Sequence, residues 1–332
     1  MEKCNIAVVG ATGAVGREML NTLEERNFPA ARIKLFATEK SKGKKIKYTD
    51  RNLVVDTIEK GSFTDIDIAL FSIGSGPSKE IVPNVVEEGA VVIDNSNAFR
   101  MDEDVPLVVP EINPEEIKNH QGIIANPNCS TIQMVMALKP VYDRAGMERI
   151  ICSTYQAVSG TGKKAIDELQ EQVEAYVDKR ELENNVYPHQ IAFNVLPHID
   201  IFFDNGYTKE ELKMVRETKK ILKDDKLKIT ATAARIPVFY GHAESVYIET
   251  KEEITLAELK DILDSTSGVE VVDDPENNVY PLPTDSEEND QVMVGRIRKD
   301  LSIENGYNMW IVANNLRKGA ALNAVQIAEK MV

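Results

Sequence analysis

The chain has 332 residues, and 39 lysines and arginines against 54 aspartates and glutamates leave a net charge of −15. That length is enough for two domains with full cores, and 42% hydrophobic with 28% charged residues is the balance of a globular protein, not a disordered one. The acidity speaks against a nucleic-acid binder, and the scatter of Cys4, Cys129, Cys152 and four histidines matches neither a disulfide framework nor a zinc site, so no metal and a reducing, cytoplasmic setting are expected.

The run within Met1–Gly10 is too short for a signal peptide, and no stretch reaches the roughly 18 apolar residues of a membrane helix. Asn5–Gly10 reads as a buried strand ending in glycine. Gly10, Gly13 and Gly16 follow, and Arg17–Leu20, Leu23 and Glu24 continue at helical spacing. Ile33–Ala37 is a second strand, and a polar, lysine-rich loop over 38–45 comes after it. Ile68–Ser72 is a third strand running into Gly74-Ser-Gly76, Val82–Glu88 suggests a helix, and Ala90–Asp94 is a further strand. Strands alternating with helices mean an α/β domain with a mostly parallel, Rossmann-like sheet. Beyond about Pro127 the texture becomes α+β, with helices over 165–177 and 209–222 and strands over 229–235, 245–250 and 309–314. A polar, acidic, proline-containing segment over 273–290 reads as an exposed loop, and 319–332 as an amphipathic helix. The expected division is 1–127 with 317–332 as one domain and 128–316 as the other.

Three constellations carry chemistry. A strand, a glycine turn and a helix can cradle a pyrophosphate on free helix N–H groups, although the GxxGxxG spacing also serves a tight turn without a ligand. Hydroxyls and lysines after the second strand, where an acid would read a ribose, favour NADP over NAD. Cys129 follows an Asn-Pro turn and opens an apparent helix, where the N-terminus favours a thiolate nucleophile; a buried structural cysteine is the alternative, and it suits Cys4 and Cys152. Arg235 and His242 flank a proline–glycine loop, Glu210 and Lys213 lie three apart on a predicted helix, Arg100 ends the run after a strand, and Ser159–Gly162 forms a second glycine loop just after Gln156.

Gly10-Ala-Thr-Gly-Ala-Val-Gly16, Asn126-Pro-Asn-Cys-Ser-Thr131, Gln156 with Ser159-Gly-Thr-Gly162, Glu210-Glu-Leu-Lys213, Arg235-Ile-Pro-Val with Gly241-His242, and Asn315–Ala324 together resemble the bacterial aspartate-β-semialdehyde dehydrogenases, in order and nearly end to end. The resemblance implies NADPH-dependent reductive dephosphorylation of L-aspartyl 4-phosphate to L-aspartate 4-semialdehyde, a step toward lysine, threonine, methionine and diaminopimelate. It implies Cys129 as nucleophile through a thioester, His242 as acid/base and Gln156 as the orienting residue. Arg235 and Glu210 match groups for the substrate carboxylate and amine, Arg100 and Lys213 match phosphate-binding cations, and Asn128 joins the substrate-binding set. Gly10, Thr12, Gly13, Ala14, Val15, Gly16, Thr38, Lys40, Ser41, Ser72, Gly74, Ser159, Gly160 and Asn315 fall where the family contacts the cofactor. A homodimer, or a tetramer, is implied, with a small-molecule substrate as the only other partner. Two positions depart from the pattern. Ser72-Ile-Gly-Ser-Gly76 replaces Ser-Ala-Gly-Gly, and Lys40 stands where relatives often carry arginine, which weakens the expected grip on a 2′-phosphate. Rival readings are an N-acetyl-γ-glutamyl-phosphate reductase, a non-catalytic NADP-binding sensor and a cysteine hydrolase.

Overall fold

A computed structural model describes residues 3–332, so that Met1 and Glu2 of the opening segment lie outside the described residues. The chain divides into two compact units. One runs to Asn128 and takes in Gly319–Val332; the other is Cys129–Lys318.

The first unit contains β1 (Cys4–Val9), α1 (Ala14–Glu25), β2 (Ala30–Phe36), β3 (Lys45–Tyr48), β4 (Arg51–Asp56), β5 (Ile68–Phe71), α2 (Ser75–Glu87), β6 (Val91–Asp94) and β7 (Ile123–Ala125). Its sheet has the order β3-β4-β2-β1-β5-β6-β7, parallel throughout except for the β3–β4 hairpin. β1 and β5 sit centrally, and Ile6 to Val8 and Ile68 to Phe71 are all buried, which is why these strands read as continuous apolar runs and not as alternation. The order reverses between β1 and β5, the switch point where open α/β sheets bind ligands beyond the strand ends. Gly10 and Ser72 stand at those two ends. Gly10 has φ +84°, and a Cβ there would lie 2.2 Å from the Ser72 carbonyl oxygen, so only glycine serves.

The helix Leu322–Glu329 belongs to this unit. Val325 and Ile327 share a core with Met19 and Leu23 of α1, and Asn323 donates to the Val108 carbonyl (3.0 Å) and to Asn126 Oδ1 (2.6 Å). The β3–β4 hairpin was not foreseen: the lysine-rich loop contains a 3₁₀ turn at Glu39–Ser41 and runs straight into β3, where Ile46 and Tyr48 alternate inward between lysines.

The second unit contains α3 (Cys129–Ala145), β8 (Met147–Gln156), α4 (Lys163–Val177), α5 (Lys209–Leu222), β9 (Lys228–Arg235), β10 (His242–Thr250), α6 (Leu256–Asp264), β11 (Val269–Val271), β12 (Val292–Lys299) and β13 (Gly306–Ala313). Its mixed sheet has the order β11-β12-β13-β10-β8-β9. α3 is buried along every residue from Ser130 to Leu138 and forms the central helix of this unit. The segment 273–290 is mostly exposed, as expected, but is pinned at a few positions. The Asp273 side chain is buried and pairs with Lys260 (2.7 Å), Ser286 is buried, and Trp310 Nε1 donates to the Pro281 carbonyl (3.1 Å), which ties the loop to the unit.

Candidate active site

Strand direction gathers the chemistry of the second unit. β8 and β9 are parallel and in register, so Gln156 and Arg235 end side by side. β10 is antiparallel to β8 and β13, so its first residue, His242, begins where those strands finish, opposite Ala313. Four strand termini thus meet at one end of the sheet, and three of them bring the candidate side chains Gln156, Arg235 and His242 there.

Gln156 is 2% exposed, and its Nε2 donates to Glu210 Oε1 and to Thr154 Oγ1, each at 3.2 Å. Glu210 lies in the first turn of α5, where Thr208 and Glu211 form a reciprocal capping box and Glu211 Oε1 also accepts the Ala233 N–H (3.0 Å), tying the helix start to β9. One turn on, Lys213 Nζ donates to Glu210 Oε2 (3.0 Å) and to Asp200 Oδ2 (2.9 Å). Burial works against the charge on Lys213, but the two carboxylates outweigh it and hold its pKa above the usual lysine value. Arg235 is buried; its Nη1 donates to the Ala157 carbonyl (2.7 Å), while its Nε has no hydrogen-bond partner among the described residues. Tyr187 lies near Arg235 and donates to Thr161 Oγ1 (2.9 Å).

His242 is completely buried. The Ala157 N–H donates to its Nδ1 (3.1 Å), and its Nε2 meets no partner among the described residues. Burial and then the Arg235 charge drive its pKa down to about 3, so the ring is neutral at physiological pH. An Nδ1 that accepts cannot also carry a proton, so the neutral ring bears its proton on Nε2. Behind it, Asn315 Oδ1 accepts from the Gly241 N–H (3.0 Å), and Asn315 Nδ2 donates to Ser159 Oγ (2.9 Å), joining the two loops that flank the imidazole.

Gly160 packs against Arg235 and His242. A Cβ there would stand 3.0 Å from Arg235 Nη1 and 3.2 Å from His242 Nε2, and both side chains are buried and have little room to yield. Gly160→Ala is therefore expected to fold normally but to lower kcat/KM about tenfold by displacing Arg235 and His242 a few tenths of an ångström; a circular-dichroism melt beside initial rates separates the two effects.

Cys129 is the first residue of α3. It is in no disulfide among the described residues and is partly exposed, with no acid in the first turn to oppose a thiolate. Pro127 before it disfavours a helical Asn126, which places the helix start at the cysteine. Cys4 and Cys152 are buried, and burial raises both thiol pKa values, as suits structural thiols.

The remaining candidates lie in the first unit. α1 opens at Ala14 after Gly13, with no side-chain cap and no acid in its first turn, so the N–H groups around Ala14, Val15 and Gly16 face an end suited to an anion. Thr12 Oγ1 approaches Ser41 Oγ (3.5 Å). Lys42 is engaged by Thr57, Asp56 and Glu59, and Lys44 by Ser41, whereas exposed Lys40 forms no ion pair among the described residues and remains available to a phosphate. Thr38 is exposed beside it, and Ser72 and Gly74 lie beyond β5. Arg100 is buried and held by the Asn126 and Asn95 carbonyls (2.8 and 2.7 Å), and Asn128 is buried. No group of three or more metal-ligating side chains occurs among the described residues, and none of their helices is long and apolar enough to cross a membrane.

Two side chains near these groups were not picked out from the sequence. Asp200, at φ +69° in a loop, carries no pattern that would mark it. Glu244 could have been found by counting two residues on from His242 along a strand, the spacing that returns to the same face.

Two family models match: the semialdehyde dehydrogenase NAD binding domain over residues 5–120 and the semialdehyde dehydrogenase dimerisation domain over 138–318. An aspartate-semialdehyde dehydrogenase of Aquifex aeolicus is 56% identical over 98% of this chain and 97% of its own length, and one of Bacillus subtilis is 49% identical over the same shares. Among solved structures, aspartate semialdehyde dehydrogenase II of Vibrio cholerae complexed with ASA superposes with a TM-score of 0.97 at 48% identity, covering 100% of this chain and 98% of its own. The Candida albicans enzyme with NADP reaches 0.77 at 26% identity, with 99% and 98% covered. The chain thus belongs to the aspartate-semialdehyde dehydrogenase family of oxidoreductases, with an NAD(P)-binding domain followed by a dimerisation domain.

Proposed function

We propose that the protein reduces L-aspartyl 4-phosphate to L-aspartate 4-semialdehyde and phosphate, using NADPH and a thioester on Cys129. The observation that carries this reading is the cluster of buried Arg235, Glu210 and Gln156 with half-buried Lys213 at one end of a sheet. An arginine fork suits a carboxylate, Glu210 suits an ammonium group, and Lys213 suits a phosphate, which together describe an amino acid with an anionic tail.

The start of α1, free of acids and side-chain caps, fits a pyrophosphate, and unpaired Lys40 fits a 2′-phosphate. When bound there, NADPH supplies a hydride to the thioester carbonyl. The chain's own residues do the rest. The Cys129 thiolate, favoured by the α3 N-terminus, attacks the acyl carbonyl, and the tetrahedral adduct expels phosphate to leave the thioester. After reduction, the thiohemiacetal oxyanion collapses to the aldehyde and expels Cys129 as thiolate. In both adducts negative charge develops on the former carbonyl oxygen. His242 Nε2–H is the donor we assign to it, since Nδ1 is occupied by the Ala157 N–H. Gln156 and Glu210 orient the substrate through their mutual hydrogen bond. Asn315 and Ser159 hold the loop beside His242, and they are the residues we assign to the nicotinamide end. The working assembly we propose is a cytoplasmic homodimer, which sedimentation velocity checks.

The deciding assay offers both L-aspartyl 4-phosphate and N-acetyl-γ-glutamyl phosphate with NADPH. Oxidation of NADPH with the first substrate alone supports the reading, and oxidation with the second alone overturns it. For the cofactor, Lys40→Ala is expected to raise KM for NADPH roughly tenfold, the size of one charged phosphate contact, and to leave KM for NADH within about twofold. Equal effects on the two would remove Lys40 from 2′-phosphate recognition.

A further inference from the structure

Glu244 is the third residue of β10, completely buried, and uses neither the cations nor the hydrogen bonds of the cluster described above. It stands two residues beyond His242 and so projects from the same face of the strand. β10 lies inside the sheet between β13 and β8, and α3 packs against it. The groups acting on the Glu244 carboxyl from α3 are Gln133 and Ser130, the side chains four and one residues after Cys129. Both belong to the helix's opening turns, where one turn spans 3.6 residues. The titratable groups facing it are Glu210 from α5 and the Cys152 thiol from β8.

We propose that the Glu244 carboxyl is a positioning group for Cys129, fixing the opening turn of α3 through Ser130 and Gln133 and with it the place of the thiol. The inference rests on the reading of Cys129 as nucleophile. Burial, aided by the negative charge of Glu210 and only partly opposed by Gln133 and Ser130, holds the carboxyl well above the usual glutamate range, which favours its neutral form. A neutral acid offers one donor and further acceptor capacity, which suits an amide on one side and a hydroxyl on the other. Neutrality also matters to the neighbour, because a carboxylate beside the first turn would oppose a thiolate at its end. Neither carboxyl oxygen nor Gln133 Nε2 has a partner in ordinary hydrogen-bond geometry among the described residues. Incompletely satisfied buried polar groups are costly, and proteins keep them chiefly where function uses them.

The test compares Glu244→Gln and Glu244→Ala by the pH dependence of iodoacetamide alkylation and by steady-state kinetics, with Cys129→Ala as the alkylation blank. Glu244→Gln keeps a neutral head of the same shape and is expected to stay within about threefold of the parent in both. Glu244→Ala frees the opening turn and is expected to move the alkylation midpoint up by about one pH unit, the scale on which a helix N-terminus shifts a thiol. With it, kcat is expected to fall about 10- to 100-fold at a KM within threefold, the signature of a misplaced reacting group. If Glu244→Ala does not fold, Glu244→Met, which keeps volume without the polar head, carries the same expectation. An unchanged alkylation profile and kcat in the Ala or Met variant overturn the proposal, and so does a Gln variant as impaired as they are. Turnover surviving in Cys129→Ala would instead strike the thioester reading alone, because alkylation reports the place of the thiol whether or not it is the nucleophile.

Discussion

Cys129→Ala is expected to abolish reduction of the acyl phosphate, lowering kcat by at least about 10⁴-fold, while NADP binding stays within a few-fold. The scale follows from the loss of a covalent nucleophile, whose removal disables the rest of the site with it. Binding survives because the glycine turn and Lys40 lie in the other unit's residues and owe nothing to the thiol. The same substitution separates an enzyme from a non-catalytic NADP-binding protein: the former loses phosphate-dependent turnover, and the latter has none to lose. Fluorescence titration with NADPH beside a coupled assay measures both, and turnover that persists in the variant would exclude the thioester.

The second large effect is at His242. His242→Asn is expected to lower kcat by about 10² to 10⁴-fold, the usual contribution of a positioned proton donor, with Cys129 still open to alkylation. Its pH behaviour sharpens the test. In the folded protein the ring stays neutral down to about 3, because burial and Arg235 oppose its charge, whereas an unfolded chain protonates it near 6.5. Between those values the unfolded state binds a proton that the folded state refuses. Stability contributed by the neutral ring is therefore complete above pH 6.5 and is lost as pH falls toward 3. Urea melts at pH 7, 5 and 4 are expected to show a shallower acid slope in His242→Asn, by several kcal/mol at the lowest pH. The kcat profile should show no histidine titration between pH 5 and 8. Equal slopes in parent and variant would mean that His242 is not held neutral.

The fold was legible wherever a strand lies buried on both faces. β1 and β5 announce themselves as short β-branched and apolar runs closed by a glycine or a serine, and α5 by its polar cap and helical spacing. β3 was hidden because Lys45 and Lys47 alternate with Ile46 and Tyr48, and four residues with two charges look like a solvated loop until β4 pairs with them. The second unit's sheet was harder for a related reason: its strands cross one another in mixed directions, so no local pattern tells that Gln156, Arg235 and His242 finish at the same end. Residue type beside a proline–glycine loop nominated Arg235 and His242, and the family resemblance nominated Gln156. Their arrangement comes from register, which a single sequence does not display. The tautomer of His242 was out of reach altogether, since it depends on a backbone N–H at Ala157 that carries no sequence signal.

The split of the first unit sets an order in time. Its core needs Val325 and Ile327, and Asn323 ties Val108 to Asn126, yet roughly 190 residues of the second unit are translated between Asn128 and those partners. At synthesis rates of about 5–20 residues per second, the nascent sheet waits some 10–40 s on the ribosome with that flank of its core uncovered. The second unit, being continuous, can close first. Folding on the ribosome should therefore run against the usual N-terminal-first order, and a fragment stopped after Asn128 should be the aggregation-prone species that chaperones meet.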